Sequence, residues 1–169
     1  RHLPPVTPSK IVCVHLNYSS RVEEMMQKLP PAPTYFHKPV SALNSHDAAV
    51  VRPERCKWLN YEGEIAIVIG RTCRNVSPEE AGDYIRGYTV ANDYAIRDYL
   101  ENWYRPNARV KNRDGGTVLG PWFVDADDIA TPVQLNLRTL VNGTVTQQGN
   151  TRDLVHDVPS LVEYLSGFM

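Results

Sequence analysis

The sequence has few cysteines, no long apolar run and almost no net charge, and each shortage excludes a class of protein. Its three cysteines, Cys13, Cys56 and Cys73, are far apart and form no C-x-x-C pair. This excludes a disulfide framework and a zinc knuckle and is typical of a reducing compartment. The longest apolar run, residues 65–69, is far shorter than the roughly 20 residues of a membrane-spanning helix. Lys and Arg number 18 against 19 Asp and Glu, which argues against nucleic acid or a membrane as partner. We therefore expect a cytoplasmic protein.

Common catalytic signatures are also missing from the sequence. It contains no Gly-x-Ser-x-Gly, no Walker loop and no dinucleotide fingerprint. No signal-peptide pattern follows Arg1, although the chain starts without Met and stops after a helix-like segment. The histidines show no ligand spacing and are interpreted as surface or core residues: His2, His15, His37, His46 and His156. The length of 169 residues predicts one domain over residues 1–169.

Short β-branched and apolar segments predict most of the secondary structure. Residues 11–16 and 58–69 are interpreted as strands, and residues 87–91 as another that leads into Asn92-Asp93. Residues 135–147 are typical of a hairpin, because Asn-Gly at its centre favours a type I′ turn. Since these strands do not alternate with long helices, the expected fold class is strand-dominated α+β.

A few segments carry helix signals. Residues 20–29 begin with a Ser-x-x-Glu capping box and continue with an apolar face. Residues 77–88 begin with Ser-Pro-x-Glu, which predicts a helix with an N-terminal cap and an apolar face that reaches Tyr88. A short helical stretch is expected around residues 99–104, and a last helix begins at Pro159.

Acidic side chains lie near the ends of two predicted apolar strands. Glu62 and Glu64 point to the same face of their strand, because side chains alternate along a strand. Asp93 ends another apolar strand, and if the two strands are neighbours, three carboxylates converge. A cation would relieve their repulsion, and all-carboxylate ligation suits magnesium, manganese or calcium.

Each of these residues also has a structural interpretation. The two glutamates could face water or pair with Arg and Lys, and Asp93 could cap a following helix. The basic stretch that includes Lys111 could be a solvated loop, or it could supply cations for an anionic substrate and a developing enolate. Spacing by itself leaves these alternatives open.

At these residues the chain resembles the fumarylacetoacetate hydrolase family. Residues 91–107 are especially similar to a branch of isomerases and decarboxylases that act in aromatic-compound breakdown. The similar blocks follow in order along nearly the whole chain: residues 11–26, 33–43, 61–70, 87–98, 111–121 and 149–168.

The resemblance implies a mixed β-sheet roll with a pocket for magnesium or manganese. It assigns the metal ligands to Glu62, Glu64 and Asp93, and the catalytic lysine to Lys111. It also matches an Arg-Asp pair to Arg97 and Asp98, of which Arg97 would bind substrate. A pocket threonine matches Thr151, a further expected substrate contact.

Two features depart from the family pattern. Some members carry a His–Glu pair on a lid helix, whereas this chain keeps Glu24 and has Arg21 in the histidine position. We expect Arg21 to pair with Glu24 and to contact substrate, with Glu24 the remaining candidate acid or base. The family's Pro-Gly-Asp and Thr-Gly-Thr-Pro segment would follow Met169, so residues 1–169 are expected to be a single catalytic domain that lacks this C-terminal segment.

These observations lead to a functional hypothesis and two alternatives. The hypothesis is a magnesium- or manganese-dependent isomerase/decarboxylase of 2-oxo or 2-hydroxy-dienoic dicarboxylates, in which one cation stabilises the dienolate of both reactions. The first alternative is a C–C bond hydrolase of the fumarylacetoacetate or acylpyruvate type. The second is a metal-free binding module. A homodimer is the expected assembly, with no nucleic acid or membrane partner.

Overall fold

The computed structural model describes residues 2–99, 108–130 and 133–169. Strands predominate and the helices are short, so the expected strand-dominated α+β class is confirmed. None of the helices in these ranges is long and apolar enough to cross a membrane. The chain divides into two compact units, which we call the first and the second unit. The first contains Arg1–Cys13, Tyr35–Ala66 and Thr89–Phe123, and the second contains Val14–Thr34, Ile67–Tyr88 and Val124–Met169.

The described residues form strands and helices in the following order along the chain. The strands are β1 (Ile11–His15), β2 (Thr34–Lys38), β3 (Leu43–Ser45), β4 (Leu59–Asn60), β5 (Gly63–Ile69), β6 (Ile85–Asp93), β7 (Ala95–Ile96), β8 (Thr117–Leu119), β9 (Val124–Asp125), β10 (Asn136–Val141) and β11 (Thr144–Asn150). The helices are α1 (Ser19–Glu24), α2 (Ala108–Lys111) and α3 (Val158–Ser166).

The main sheet has the strand order β3-β8-β6-β5, and β9 also pairs with β6. It is mixed, because β8 runs parallel to β3 and antiparallel to β6. The register places Thr117 opposite Asp93 and Val118 opposite Asn92. The carboxyl end of β6, which carries the predicted acid, is therefore a paired and rigid part of the first unit.

The hairpin of the second unit forms where the sequence predicts it. Strands β10 and β11 pair in antiparallel fashion, and Val141 lies opposite Thr144. Asn142 and Gly143 connect them with φ values of 50° and 82°. Two successive positive φ values are what a type I′ turn requires, and Asn-Gly adopts them at little cost.

The last helix, α3, also begins where its local signals predict. Asp157 accepts a hydrogen bond from the Ser160 N–H at 3.0 Å, and Pro159 lies in the first turn. Val162 on the inner face of this helix packs with Val76 and Ala81 in a small apolar core of the second unit. Local capping and a buried apolar stripe thus agree in this segment.

Two of the other three helix predictions were wrong in extent, and the third, around residues 99–104, lies outside the described residues except for Tyr99. In residues 77–88 a 3-10 turn forms at Ala81–Tyr84, and β6 begins at Ile85, because pairing with a neighbouring strand satisfies this segment's backbone groups. Helix α1 begins at Ser19 with no side-chain cap. It ends before Met26, whose φ of 50° breaks the helix. Of the expected apolar face, Val22 is buried, whereas Met26 and Leu29 are exposed.

Candidate metal centre

Asp93, at the end of β6, lies at the centre of a buried group of charged side chains. Its Oδ1 accepts a hydrogen bond from Lys38, and its Oδ2 accepts one from Lys111 Nζ at 2.9 Å. Lys111 also donates to the Asp93 main-chain carbonyl at 3.1 Å. Asp93 and both lysines are buried residues, and the Lys38 side chain has no exposed surface. The carboxylate is thus compensated by two ammonium groups brought to it from β2 and α2.

Glu62 joins this group through the same lysine. Its Oε2 accepts a hydrogen bond from Lys111, so the carboxylates of Glu62 and Asp93 converge on one ammonium. Lys111 comes from helix α2, and the two acids come from the residue just before β5 and from the end of β6. The structure therefore brings together three of the predicted site residues, Glu62, Asp93 and Lys111.

The pKa of the Cys13 thiol depends on burial, on the charges of this group and, to a smaller extent, on the charge of Glu64. Burial raises the pKa of the Cys13 thiol to about 12, and the negative charge of Asp93 adds to this effect. The charges of Lys38 and Lys111 lower the pKa, and that of Glu64 raises it. Because charge effects fall with distance, Glu64 belongs to the same electrostatic environment. We call Cys13, Lys38, Glu62, Glu64, Asp93 and Lys111 the charged cluster.

The protonation of Lys111 follows from two opposing effects. Burial by itself lowers the pKa of the Lys111 ammonium, whereas the charges of Asp93 and Glu62 and their hydrogen bonds raise it. The net result is a pKa above the ordinary value of lysine. Lys111 is therefore a protonated hydrogen-bond donor at neutral pH.

The chemistry of this cluster suits a hard divalent cation, although its side chains are turned towards lysine. Within the residues that the structure describes, no three His, Cys, Asp or Glu side chains are arranged as they stand to hold a metal ion. Glu62 and Asp93 instead share the Lys111 ammonium, which marks a position where a positive charge is stabilised by two carboxylates. Carboxylate oxygens are the ligands that magnesium and manganese prefer. The ligand set Glu62, Glu64 and Asp93 stays a prediction.

Lys38 is a member of the cluster that sequence reasoning missed. It follows an aromatic-rich segment and precedes Pro39, with no local pattern that indicates a site. Charge balance was the available signal, because three carboxylates that are predicted to converge need more than the one cation of Lys111. Its contact with Asp93 joins residues 55 positions apart, so only the fold reveals this partner.

The predicted Arg97–Asp98 pair lies directly after β7. The carboxylate of Asp98 accepts hydrogen bonds from the Lys57 N–H at 2.9 Å and the Trp58 N–H at 2.8 Å, and these lower its pKa. The N–H of Arg97 donates to the Trp58 carbonyl at 2.8 Å. Asp98 thus holds the main chain of the two residues directly before β4. The expected contact of Arg97 with substrate stays a prediction. The similar segment continues into residues 100–107, which lie outside the described residues.

The remaining candidates, Arg21, Glu24 and Thr151, belong to the second unit. Arg21 Nη1 donates to Glu24 Oε2 at 2.5 Å, which confirms the predicted pairing of these side chains on α1. The Thr151 hydroxyl accepts from the Leu135 N–H at 2.8 Å and donates to the Val133 carbonyl at 2.9 Å. Its hydrogen therefore has a protein acceptor, and the substrate roles of all three residues stay predictions.

Comparison with known proteins places this chain in a family. The model of the fumarylacetoacetate (FAA) hydrolase C-terminal domain matches residues 10–169. A 4-hydroxyphenylacetate degradation bifunctional isomerase/decarboxylase from Salmonella dublin is 49% identical over 154 residues, which are 91% of this chain and 36% of that protein. The chain thus spans about a third of the length of this curated relative.

Solved structures agree with the sequence comparison. The crystal structure of a 5-carboxymethyl-2-hydroxymuconate delta-isomerase from Mycobacterium smegmatis is 38% identical, with a TM-score of 0.88 over 100% of this chain and 66% of that chain. A fumarylpyruvate hydrolase from Pseudomonas aeruginosa, in complex with Mn²⁺ and pyruvate, is 26% identical, with a TM-score of 0.85 over 95% of this chain and 72% of that chain. Isomerases and hydrolases thus share this fold, and members of the group bind manganese. The chain described here belongs to the fumarylacetoacetate hydrolase family.

Proposed function

We propose that this chain is the metal-binding catalytic part of an isomerase/decarboxylase of 2-oxo or 2-hydroxy-dienoic dicarboxylates in aromatic-compound catabolism. The proposed reactions are those of a 2-hydroxyhepta-2,4-diene-1,7-dioate isomerase and a 5-carboxymethyl-2-oxo-hex-3-ene-1,7-dioate decarboxylase. The 49% identity to the Salmonella dublin isomerase/decarboxylase supports this choice. A 2-hydroxyhepta-2,4-diene-1,7-dioate isomerase from Mycobacterium marinum, 38% identical with a TM-score of 0.86, also supports it.

The observation that carries the proposal is the buried position of Lys111 between Glu62 and Asp93. A centre that combines acidic ligands with protonated lysines can bind a divalent cation and an anionic substrate side by side. When bound, magnesium or manganese would supply a Lewis acid for the carboxylate and 2-oxygen of a 2-oxo acid. Pyruvate is such an acid, and it accompanies Mn²⁺ in the Pseudomonas aeruginosa hydrolase structure.

The chain's own residues divide the remaining tasks. Lys111, an ammonium whose three N–H groups bond to Glu62 and Asp93, would redirect one of them to the oxygen that becomes negative as the dienolate forms. Loss of a proton and loss of carbon dioxide lead to this same type of dienolate, so one site serves both reactions. Arg97 would orient the remote carboxylate, Arg21 and Thr151 would contact substrate, and Glu24 would move a proton.

A C–C bond hydrolase of the fumarylacetoacetate or acylpyruvate type is the second candidate. The observation in its favour is the likeness to solved hydrolases. A maleylpyruvate hydrolase from Sphingobium, in complex with manganese and pyruvate, is 32% identical with a TM-score of 0.82 over 98% of this chain and 57% of that chain. Against it stands the arginine at position 21, where some members of the family carry the histidine of a His–Glu pair, because an arginine is a poor general base for activating water.

Product analysis tests the proposal. The protein is incubated with Mg²⁺ or Mn²⁺ and 2-hydroxyhepta-2,4-diene-1,7-dioate, and ultraviolet absorbance and product mass are recorded. With this substrate we expect an absorbance change with no change in mass. When 5-carboxymethyl-2-oxo-hex-3-ene-1,7-dioate is the substrate, we expect release of carbon dioxide. Cleavage of the substrate into two products would favour the hydrolase instead. No reaction together with no bound divalent ion would favour a metal-free binding module.

A pair of matched variants tests the ligand assignment. Glu64→Gln keeps the size of the side chain and removes its charge, so we expect loss of activity and of Mn²⁺ binding with little change in folding. Glu163→Gln, at an exposed position of α3, makes the same chemical change and should leave both unchanged. Full activity of Glu64→Gln would contradict the role of Glu64 as a ligand.

We also propose that the protein works as a cytoplasmic homodimer, as the resemblance to the family implies. Light scattering coupled to size exclusion measures the molar mass in solution. A mass of one chain at micromolar concentration would contradict the dimer and would leave the proposed chemistry unaffected.

A further inference from the structure

We propose that Asn92 is a positioning residue of the metal centre, which fixes the distance between the carboxylates of Glu62 and Asp93. This inference rests on the proposed function, in which both carboxylates are metal ligands. Its basis is a set of two hydrogen bonds that hold the main chain of Glu62 against two consecutive residues of β6.

The two bonds involve both main-chain polar groups of Glu62, its N–H and its carbonyl. The Glu62 N–H donates to Asn92 Oδ1 at 3.0 Å. The Asp93 N–H donates to the Glu62 carbonyl at 2.8 Å. Because residues 92 and 93 are covalently joined, Glu62 cannot shift along β6 without breaking one of the bonds. The main chain of Glu62, from which its carboxylate extends, is thereby tied to the main chain of Asp93.

Glu62 needs such a side-chain contact because it lies outside the regular strands. Strand β4 ends at Asn60 and β5 begins at Gly63, so Glu62 lies in the gap between them. In a regular strand, ladder bonds hold the N–H and carbonyl groups that face a neighbouring strand. Here the amide oxygen of Asn92 replaces one ladder acceptor, and without it the Glu62 N–H would lose its partner.

The position of Asn92 in β6 allows its side chain to serve this purpose. The main chain of Asn92 pairs with Val118 on β8, so the ladder with that strand does not require the side-chain oxygen. Asp93 directs its carboxylate to Lys38 and Lys111. Adjacent residues of one strand thus supply a ligand and the group that aligns a second ligand. Residues that orient ligands in this way change metal affinity by about 10- to 100-fold when they are replaced.

Three variants of the protein test this assignment through metal affinity. Asn92→Leu keeps the approximate shape and removes the acceptor, Asn92→Asp keeps an acceptor oxygen, and Ser166→Ala is the matched control. Ser166 Oγ accepts a hydrogen bond from the Val76 N–H at 2.9 Å in the second unit, so its loss also leaves a backbone donor without its side-chain partner. Urea denaturation of each variant verifies folding.

Mn²⁺ binding is measured by electron paramagnetic resonance titration at two salt concentrations. We expect Asn92→Leu to raise the Kd for Mn²⁺ by about 10-fold or more, and Ser166→Ala to leave it unchanged. Asn92→Asp should bind at least as tightly as the unaltered protein. Because salt screens a partly buried charge incompletely, the comparison that reports the acceptor is that of Asn92→Leu with the unaltered protein, which carry the same charge.

The outcomes distinguish a failure of the Asn92 assignment from a failure of the proposed function. An unaltered protein that binds no Mn²⁺ overturns both. An unaltered protein that binds Mn²⁺, together with Asn92→Leu binding equally well, overturns the role of Asn92 alone. Asn92→Leu in a Glu62→Gln background should cause no further loss of affinity, and an equal further loss there would also overturn the assignment. If Asn92→Leu does not fold, Asn92→Ser replaces it, because the shorter side chain cannot span the distance.

Discussion

Lys111 contacts Asp93 twice, through its carboxylate Oδ2 at 2.9 Å and through its main-chain carbonyl at 3.1 Å. The Lys111 ammonium thus donates to the side chain and the backbone of one residue, and its third N–H donates to Glu62. This geometry fixes the lysine at the point where a divalent cation would meet the same carboxylates. Under the proposed ligand assignment, lysine and metal would compete for Glu62 and Asp93, and this competition would have measurable consequences.

Lys111→Met separates metal binding from catalysis. Removal of the ammonium leaves Glu62 and Asp93 available, so we expect Mn²⁺ affinity to be kept or increased. The rate constant kcat should fall by about a hundredfold or more, because the group that stabilises developing negative charge is lost. Mn²⁺ titration and steady-state kinetics measure the two effects. Lys10→Met, at an exposed position, is the control, and an unchanged kcat in Lys111→Met would contradict the assigned role.

Lys38→Met tests the energetic role of the fully buried lysine. Its side chain has no exposed surface and its ammonium bonds to Asp93, so the variant leaves a buried carboxylate short of one partner. We expect the free energy of unfolding to fall by about 3 kcal/mol, as is typical when one member of a buried ion pair is removed. Urea denaturation at neutral pH measures the change. Lys28→Met, which removes an exposed lysine, should change stability by less than about 0.5 kcal/mol.

The thiol of Cys13 should be almost inert in the folded, metal-free protein. Burial and the charge of Asp93 raise its pKa to about 12, so at pH 8 the reactive thiolate is about a thousandfold rarer than for an ordinary cysteine. Alkylation with iodoacetamide, followed by peptide mass spectrometry, measures its rate. In urea the same cysteine should react at the ordinary rate. Equal rates in the folded and unfolded states would show that the charged cluster does not enclose this thiol.

Asp157, the cap of α3, should stabilise the protein in a pH-dependent way. Hydrogen bonds from the Ser160 hydroxyl and N–H lower the pKa of this carboxyl. Its contribution is therefore present above the unfolded pKa of about 3.9 and is lost as the pH falls through the lower folded value. Asp157→Ala should cost about 1 kcal/mol at pH 7, with a difference that shrinks in acid.

Urea denaturation between pH 7 and pH 3 measures this difference. Asp157→Asn keeps a capping oxygen without the charge, so its stability relative to the alanine variant should not vary with pH in this range. A cost of Asp157→Ala that stays constant down to pH 3 would be incompatible with capping by the carboxylate.

The sequence by itself determined the features that depend on neighbours in the chain. Asn142-Gly143 specifies its hairpin because both residues adopt positive φ at little cost. Asp157 and Pro159 specify the start of α3 because a cap and a fixed φ act within one turn. The pairing of Arg21 with Glu24 follows from their spacing on a helix.

Only the tertiary structure decided the features that depend on distant partners. Residues 85–88 carry a helical pattern, yet they belong to β6 because pairing with neighbouring strands outweighs local propensity. Lys38 lies 55 positions from Asp93, and no local signal indicates that it becomes a partner of that carboxylate. Asn92 and Glu62 are likewise 30 positions apart. The acidic residues could be selected from the sequence by their chemistry, whereas the lysines and the amide that surround them are assigned by the sheet that folds around them.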